Sequence, residues 1–270
     1  MSEQPSEQAY ETVNVHRRGA AVTIELNRPE AMNAWNERFG RDLLAAVEAA
    51  AGDGEVRAVM LTGAGDAFSS GADLREGVPL GPDGRPDLRT RLESLYHPII
   101  LGLRGMPKPV VAAVNGPAVG IGCSLALAAD LVLAAESAYF LLAFVNIGLV
   151  PDGGSSVLLP ARIGLARTAE MAMLGERVPA RQALEWGMVN RVVGDAELPG
   201  EAGALLQRLA AGPTRSYAGT KRQLNARVYA GMKEQLELEA GIQQEAASSD
   251  DFAEGVAAFI QKRRPAFRNR

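Results

Sequence analysis

Two glycine-containing turns could each direct backbone N–H groups at a single point. The first is residues 67–74 (AFSSGADL) and the second is residues 115–123 (NGPAVGIGC). Glycine permits positive φ and close approach of the backbone, and a helix beginning near Gly122 would add its partial positive charge. Such converging donors stabilise negative charge on an oxygen atom, so the two turns predict an oxyanion hole.

A carboxylate follows the turns along the chain, because Asp152 precedes two glycines and a helix predicted to begin near Ser155. A carboxylate can remove a proton from a substrate and return it. The apolar neighbours Phe144, Ile147 and Leu149 would raise its pKa, whereas the helix N-terminus would lower it. Asp is also a favoured helix N-cap, so a purely structural role stays open at this point.

The histidines and the cysteine offer weaker signals. His97 and His16 are the two histidines, and a lone histidine is more often a surface or core residue than a catalytic one. Cys123 follows the second turn and is predicted to be a small buried residue. No motif places a serine with a histidine and an acid, so a serine-hydrolase triad is not supported.

Short β-branched runs alternate with helical segments in the first half of the chain. Strands are predicted at residues 21–26, 58–62, 110–114 and 131–134, and an amphipathic helix at residues 37–51. The apolar stripe of this helix has helical spacing and comprises Phe39, Leu43, Leu44 and Val47. This alternation predicts an α/β fold.

Helices dominate the chain after Arg162. They are predicted at residues 168–174, 180–186, 198–209, 215–228, 233–247 and 251–263. Residues 77–89 are rich in Gly, Pro and charge, and this composition predicts a mobile surface loop.

Composition excludes several classes of function. The chain has 270 residues, 47% of them hydrophobic and 22% charged, with a net charge of −4, which is typical of a compact enzyme-sized domain. One cysteine forms no internal disulfide, and residues 1–9 lack the pattern of a secretory signal. The longest apolar run, residues 125–135, is interrupted by Asp130 and is too short to span a bilayer. The sequence has no stripe of basic residues interleaved with aromatic ones, so nucleic-acid binding is not supported. From the absence of a signal pattern and of a long apolar run we expect a cytoplasmic protein with no membrane partner.

Six runs in this order resemble the crotonase (enoyl-CoA hydratase/isomerase) superfamily over nearly the whole chain. Besides the two turns they are residues 26–34 (LNRPEAMNA), 107–116 (PKPVVAAVNG), 148–154 (GLVPDGG) and 183–190 (ALEWGMVN). The resemblance implies a crotonase-like spiral of ββα units over residues 1–200 and a helical C-terminal oligomerisation region over residues 201–270. It also implies a homotrimer or dimer of trimers, an acyl-CoA substrate, no metal, and no cofactor beyond the coenzyme A of the substrate itself.

The same resemblance assigns candidate catalytic groups. The oxyanion donors are assigned to the N–H groups of Ala72 and Ile121, and a β-branched residue at the second position requires negative φ. Hydratases of the family activate water with two glutamates, but the matching positions here carry Ser124 and Phe144. Double-bond isomerases and ring-epoxide isomerases of the family place a single catalytic acid at the position of Asp152.

Three hypotheses follow from this pattern. The favoured one is a double-bond or ring-epoxide acyl-CoA isomerase that uses Asp152. The second is another thioester reaction: a 2-enoyl-CoA hydratase, or a hydrolase or dehalogenase, because aryl-CoA dehalogenases of the family carry a histidine at the position of His97 and a nucleophilic aspartate at that of Asp152. The third is a catalytically silent acyl-CoA-binding protein, because a fold does not guarantee an activity.

Coenzyme A contacts are also implied by the resemblance. They involve the backbone near Arg28 and Ala31, Ser70 near the adenine, and Arg75, which could pair with a phosphate. In relatives, positions matching Phe259 and Lys262 cover the adenine and reach the 3′-phosphate, sometimes from a neighbouring subunit. The predicted substrate-binding residues are therefore Arg28, Ala31, Ser70, Arg75, Ser124, Phe144, Phe259 and Lys262.

Overall fold

The computed structural model describes residues 10–82 and 84–269, and it contains a six-stranded main sheet and a three-stranded minor sheet. The expectation about secretion rests on residues 1–9 and lies outside the described residues. The strands are β1 (Val13–Arg18), β2 (Ala21–Leu26), β3 (Ala58–Gly63), β4 (Val110–Val114), β5 (Ala118–Val119), β6 (Leu131–Ala135), β7 (Tyr139–Leu141), β8 (Val178–Pro179) and β9 (Arg191–Val193).

The main sheet has the order β1-β2-β3-β4-β6-β9, in which only the β1–β2 pair is antiparallel. Strand β4 is buried at every position, as a parallel strand covered on both faces must be. The minor sheet has the order β5-β7-β8 and lies beside the second glycine turn. The four predicted strands are confirmed, two of them one residue longer than predicted.

Ten α-helices accompany these sheets in the described residues. They are α1 (Glu37–Gly52), α2 (Leu88–Arg91), α3 (His97–Gly105), α4 (Ile121–Leu127), α5 (Ser155–Leu174), α6 (Ala180–Glu185), α7 (Leu198–Ala211), α8 (Thr214–Val228), α9 (Met232–Ala247) and α10 (Asp250–Ile260). None of them is both long and apolar enough to cross a bilayer.

Helix α1 packs against β1 and β2, and its stripe of Phe39, Leu43 and Val47 is fully buried, whereas Leu44 is partly exposed. Helix α7 packs against β2, β3, β4 and β6, so the helical C-terminal part contributes to the same core. The proposed division after residue 200 falls within the first turn of α7.

One predicted helix is longer than its sequence pattern indicates. Helix α5 begins at Ser155, as predicted, and extends through the helix predicted at residues 168–174, with a kink at Gly164, where φ of 77° and ψ of 169° are not helical. The helix also contains Pro160, which removes one backbone donor. These two residues are normally helix breakers, so the sequence pattern predicted the start near Ser155 and the final turns as separate segments.

The segment before α3 positions side chains for the site. Residues 77–82 and 84–87 form no regular helix or strand apart from one bridge between Leu80 and Pro86, and their expected mobility stays a prediction. A π-helical segment, Leu92–Tyr96, then joins α2 to α3. Such a segment widens the helix by one residue per turn and is frequent at functional sites.

Candidate active site

The two glycine turns pack directly against each other. The N–H of Ser69 donates to the carbonyl of Pro117 at 2.9 Å, and the N–H of Val119 donates to the carbonyl of Ser69 at 2.9 Å. A Cβ on Gly122 would lie 2.7 Å from the Ser69 carbonyl oxygen, so the turns approach to a distance that only glycine permits.

The backbone amides of Ala72 and Ile121, one in each turn, donate to no acceptor within the described residues. Trp35 bonds the residues on either side of Ala72, accepting from Asp73 N–H at 3.0 Å and donating to the Gly71 carbonyl at 2.7 Å. In such a bridge the N–H of Ala72 faces away from Trp35. Ile121 is the first residue of α4 and lacks the positive φ of Gly120 before it, which meets the condition that its β-branch imposes.

Ala72 and Ile121 line one cavity of about 350 Å³, termed the main cavity below. Its volume lies within the range of small-molecule sites. Most of its wall is apolar and includes Leu74, Val78, Leu88, Leu92, Val119, Leu141, Phe144, Ile147, Leu149, Phe252 and Phe259. The two carboxylates of the described lining are Asp73, which pairs with Arg28 at 3.1 Å, and Asp152.

Asp152 is 4% exposed. Its Oδ2 accepts a hydrogen bond from Nε2 of Gln243 at 2.9 Å, and its Oδ1 has no partner among the described residues. Burial, followed by the negative charge of Glu239, raises the pKa of Asp152 to about 8, while the hydrogen bond from Gln243 opposes that rise. A carboxyl group with this pKa can both accept and donate a proton near neutral pH.

The side chain of Asp152 is not the cap of the helix that follows it. Helix α5 has Gly154 at its N-cap and no side-chain cap from its own residues. Instead, the carboxylate of Glu239 accepts from Gly154 N–H at 2.8 Å, from Ser156 N–H at 3.1 Å and from the Ser156 hydroxyl. The positive end of the helix is therefore directed at Glu239, and the structural alternative for Asp152 has no geometric support.

Glu239 and Gln243 were not predicted from the sequence. They lie one turn apart on α9, are 3% and 1% exposed, and share the inward face with Leu236 and Ala240. Polar residues at inward helical positions are unusual, and this spacing is the signal that could have identified them.

The two positions that differ from the hydratase pattern lie in different surroundings. Phe144 is 8% exposed and forms part of the cavity wall. Ser124 is fully buried behind the wall, and its hydroxyl donates to the backbone carbonyl of Asp152 at 2.9 Å. Ser124 thus supports the Asp152 turn and does not itself line the main cavity.

His97 lies outside the lining of the main cavity, at the first position of α3. It is 6% exposed, and its Nε2 has no partner among the described residues. Burial lowers the pKa of His97, with a smaller opposing effect from Glu93, so its imidazole is neutral at physiological pH. His16 is exposed and contacts Glu25 at 3.4 Å.

The candidate coenzyme A residues are only partly brought together. Ser70 lines the main cavity and donates to the Ala31 carbonyl at 3.2 Å. Phe259 also lines the cavity and is 56% exposed. Arg28 donates to the Ala34 carbonyl at 2.6 Å, in addition to its pairing with Asp73.

The last two candidates lie outside the lining. Arg75 is exposed, and Lys262 follows the end of α10 with a positive φ of 54°. No cluster of three or more His, Cys, Asp or Glu side chains suited to a metal ion occurs in the part of the chain that the structure describes.

Comparison with known proteins relates this geometry to characterised sequences. A family profile described as Enoyl-CoA hydratase/isomerase matches residues 16–270. The chain is 41% identical over 262 residues to a probable enoyl-CoA hydratase of Rhodobacter capsulatus, covering 97% of this chain and 100% of that protein. It is 41% identical over 254 residues to the 1,2-epoxyphenylacetyl-CoA isomerase of Escherichia coli, covering 93% and 96%.

A solved structure confirms the predicted architecture. The crystal structure of an enoyl-CoA hydratase from Mycobacterium avium subsp. paratuberculosis K-10 superposes with a TM-score of 0.87 at 37% identity. The superposition covers 97% of this chain and all of that one. The α/β crotonase fold with C-terminal helices is thereby confirmed.

Proposed function

Since the chain belongs to the enoyl-CoA hydratase/isomerase family and is an acyl-CoA enzyme, we propose that it is an acyl-CoA isomerase using Asp152 as its proton carrier. The supporting observation is one protonatable, buried carboxylate in an apolar cavity that also holds two unpaired amides. Similarity to a relative named 1,2-epoxyphenylacetyl-CoA isomerase adds support for the ring-epoxide form of this proposal.

For a double-bond shift, the thioester oxygen would accept hydrogen bonds from Ala72 and Ile121. The ionised Asp152 would remove a proton from the α-carbon, and the electron pair would move to the thioester oxygen as an enolate. Protonated Asp152 would then return the proton to the γ-carbon, which leaves the double bond displaced by one position. The apolar wall around the cavity, including Phe144, would keep water from the enolate.

Hydration is the less favoured reaction because Ser124 and Phe144 occupy the positions of the two hydratase glutamates, and the other carboxylate of the lining, Asp73, is paired with Arg28. We expect crotonyl-CoA to be hydrated slowly by the native enzyme, and Ser124→Glu to remain a poor hydratase. The new carboxylate would replace a fully buried hydroxyl that bonds the Asp152 carbonyl, and burying it should also lower the melting temperature. Ser124→Ala is the matched control for the lost hydrogen bond, and hydration is followed by loss of enoyl-thioester absorbance. Fast hydration by the native enzyme would contradict this expectation.

The pH dependence should report Asp152 directly. Because the ionised carboxylate is the base in the first step, kcat/KM for a 3-enoyl-CoA should rise with pH and level off above about 8. Below that value it should fall about tenfold per pH unit, since the protonated fraction cannot accept the α-proton. Initial rates across the pH range measure this, and a flat profile through pH 8 would argue against Asp152 as the base.

A catalytically silent binding protein remains the alternative of a different class. Product analysis by mass spectrometry and NMR separates it from the proposed function, using 2-enoyl-, 3-enoyl- and ring-epoxide-CoA panels in deuterated water. An isomerase should give isomeric products of unchanged oxygen content, and the deuterium found at the α- or γ-carbon measures how far the proton on Asp152 exchanges with solvent during a double-bond shift. Addition of water would indicate a hydratase, release of free coenzyme A a hydrolase, and no conversion of any substrate a binding protein.

Assembly as a homotrimer or a dimer of trimers is also a proposal. It is supported by large apolar side chains that helices of the single chain leave exposed to solvent, among them Leu165, Met173 and Leu224. Light scattering after size-exclusion chromatography should give a multiple of three chains. A monomer at micromolar concentration would contradict it.

A further inference from the structure

The amide of Gln243 has an orientation that its neighbours determine. Its Oε1 accepts from Val150 N–H at 3.0 Å, and its Nε2 donates to Asp152 Oδ2 at 2.9 Å. Because a backbone N–H can only donate, the amide oxygen must face Val150 and the NH2 group must face Asp152. The side chain is 1% exposed, so no exchange with solvent relaxes this arrangement.

This orientation distinguishes the two oxygens of Asp152. Oδ2 receives a hydrogen bond from a group that cannot accept one, so it stays an acceptor in both protonation states. Oδ1 is buried and has no partner among the described residues. When Asp152 is protonated, the proton is therefore favoured on Oδ1, because a hydroxyl at Oδ2 would accept the bond from Gln243 less strongly than a carbonyl oxygen.

Glu239, one turn earlier on α9, acts on the same carboxyl group from another direction. It occupies the N–H groups of Gly154 and Ser156, which form the positive end of α5. That end would otherwise favour the ionised form of Asp152, whereas the negative charge of Glu239 disfavours it.

Tyr96, on the π-helical segment, also faces Asp152, and Arg91 of α2 interacts with Tyr96 from the lining of the main cavity. Its burial raises the pKa of the phenol well above the usual range, so Tyr96 is neutral. The adjoining helix α4 contributes the uncharged Ser124, which bonds the Asp152 carbonyl. Burial raises the pKa of Glu239 itself, and the hydrogen bonds from Ser156 and Gly154 oppose that rise by favouring the ionised form. Glu239 is thus the charged neighbour that adds to the larger effect of burial on the pKa of Asp152.

We propose that Gln243 and Glu239 are positioning residues that act in opposite directions on Asp152. Gln243 holds Oδ2 so that Oδ1 is the oxygen that exchanges the proton with the substrate. Glu239 satisfies the end of α5, so that Asp152 retains enough proton affinity to carry the proton between two carbons. The role in turnover rests on the proposed isomerase function, whereas the electrostatic effect on Asp152 does not.

The test is the titration of Asp152, followed through its carboxyl carbon by ¹³C NMR with Asp152→Asn used for assignment. Glu239→Gln should lower the titration midpoint by about one pH unit or more, and Gln243→Leu should raise it. Glu239→Asp keeps the charge and should restore most of the native midpoint. Glu245→Gln, which removes an exposed charge from the same helix, should leave the midpoint unchanged.

Turnover supplies the second readout. The pH profile of kcat/KM should move with the titration in each variant, and Gln243→Leu should lower kcat about tenfold or more with little change in KM. Shifts in the same direction for Glu239→Gln and Gln243→Leu, or none in folded variants, would overturn the proposal. If Glu239→Gln fails to fold, Glu239→Asn, which also removes the charge, should still lower the midpoint, and if Gln243→Leu fails to fold, Gln243→Asn should still raise it by a smaller amount; an unchanged midpoint in either folded substitute would overturn the proposal equally. Failure of the proposed isomerase function alone would appear as absent turnover with the NMR shifts intact.

Discussion

Asp152→Asn is expected to lower kcat for double-bond isomerisation by about three to four orders of magnitude. The amide has nearly the shape of the carboxyl group but cannot accept the α-proton. Binding of a non-reactive acyl-CoA should be retained, because the two amides and the apolar wall are unchanged. Single-turnover rates and calorimetric titration with an acyl-CoA measure the two quantities separately.

His97→Gln is the matched comparison. Because His97 lies outside the main cavity, this substitution should lower kcat less than about tenfold. If both substitutions abolish turnover, and a single turnover in ¹⁸O-labelled water leaves label in the Asp152 carboxylate, then covalent hydrolysis or dehalogenation is the better account. Full activity in Asp152→Asn would remove Asp152 from the mechanism.

The same substitution should affect stability with a definite sign. Burial raises the pKa of Asp152 from 3.8 to about 8, so between these values the folded protein holds a proton that the unfolded chain has lost. Stability contributed by this group is therefore lost as pH rises through that window. Asp152→Asn lacks the group and should melt higher than the native protein at pH 9, with the difference disappearing toward pH 4.

Ile121→Pro is expected to reduce kcat about 10²- to 10³-fold by deleting one oxyanion donor. Ile121 is the first residue of α4, a position where proline suits the helix and its missing N–H breaks no existing bond. The preceding Gly120 has no Cβ to clash with the proline ring. Backbone geometry should therefore survive while the donor is lost.

Ile121→Ala controls for the loss of the side chain. The Ile121 side chain packs against Gly153, where an added Cβ would lie only 2.4 Å from Ile121 Cδ1. The alanine variant keeps the N–H and should retain most of its kcat. Equal losses in the alanine and proline variants would show that packing, rather than the donor, explains the effect. Circular dichroism and melting curves establish that each variant is folded.

Local patterns predicted much of the framework. The apolar runs of β3 and β4 and the stripe of α1 are continuous, so their periods are legible without tertiary information. The two turns were also predictable from their glycines, although the contacts that require these glycines join one turn to the other, as where a Cβ on Gly71 would lie 2.9 Å from the Val119 carbonyl oxygen. The two ends of α5 were predicted as separate segments, but their continuity was not, because Pro160 and the non-helical Gly164 interrupt the helical pattern between them.

The electrostatics of the site depended on contacts distant in sequence. The opposing effects of burial and the helix end on Asp152 could not be weighed from the local sequence. The structure resolves them because Glu239, carried on α9, occupies the N–H groups at that end. Likewise, the position of His97 in the sequence does not determine which way α3 directs its ring.

Deuterium transfer within the substrate tests the central claim most directly. A 3-enoyl-CoA carrying deuterium at both α-positions would be converted in ordinary water under single-turnover conditions, and the product analysed by mass spectrometry and NMR. If Asp152 carries the proton within a cavity closed to water, the 2-enoyl-CoA product should contain deuterium at the γ-carbon, whereas complete exchange with ordinary water would leave none there. Conversion without γ-deuterium, at a rate that Asp152→Asn does not change, would contradict the account.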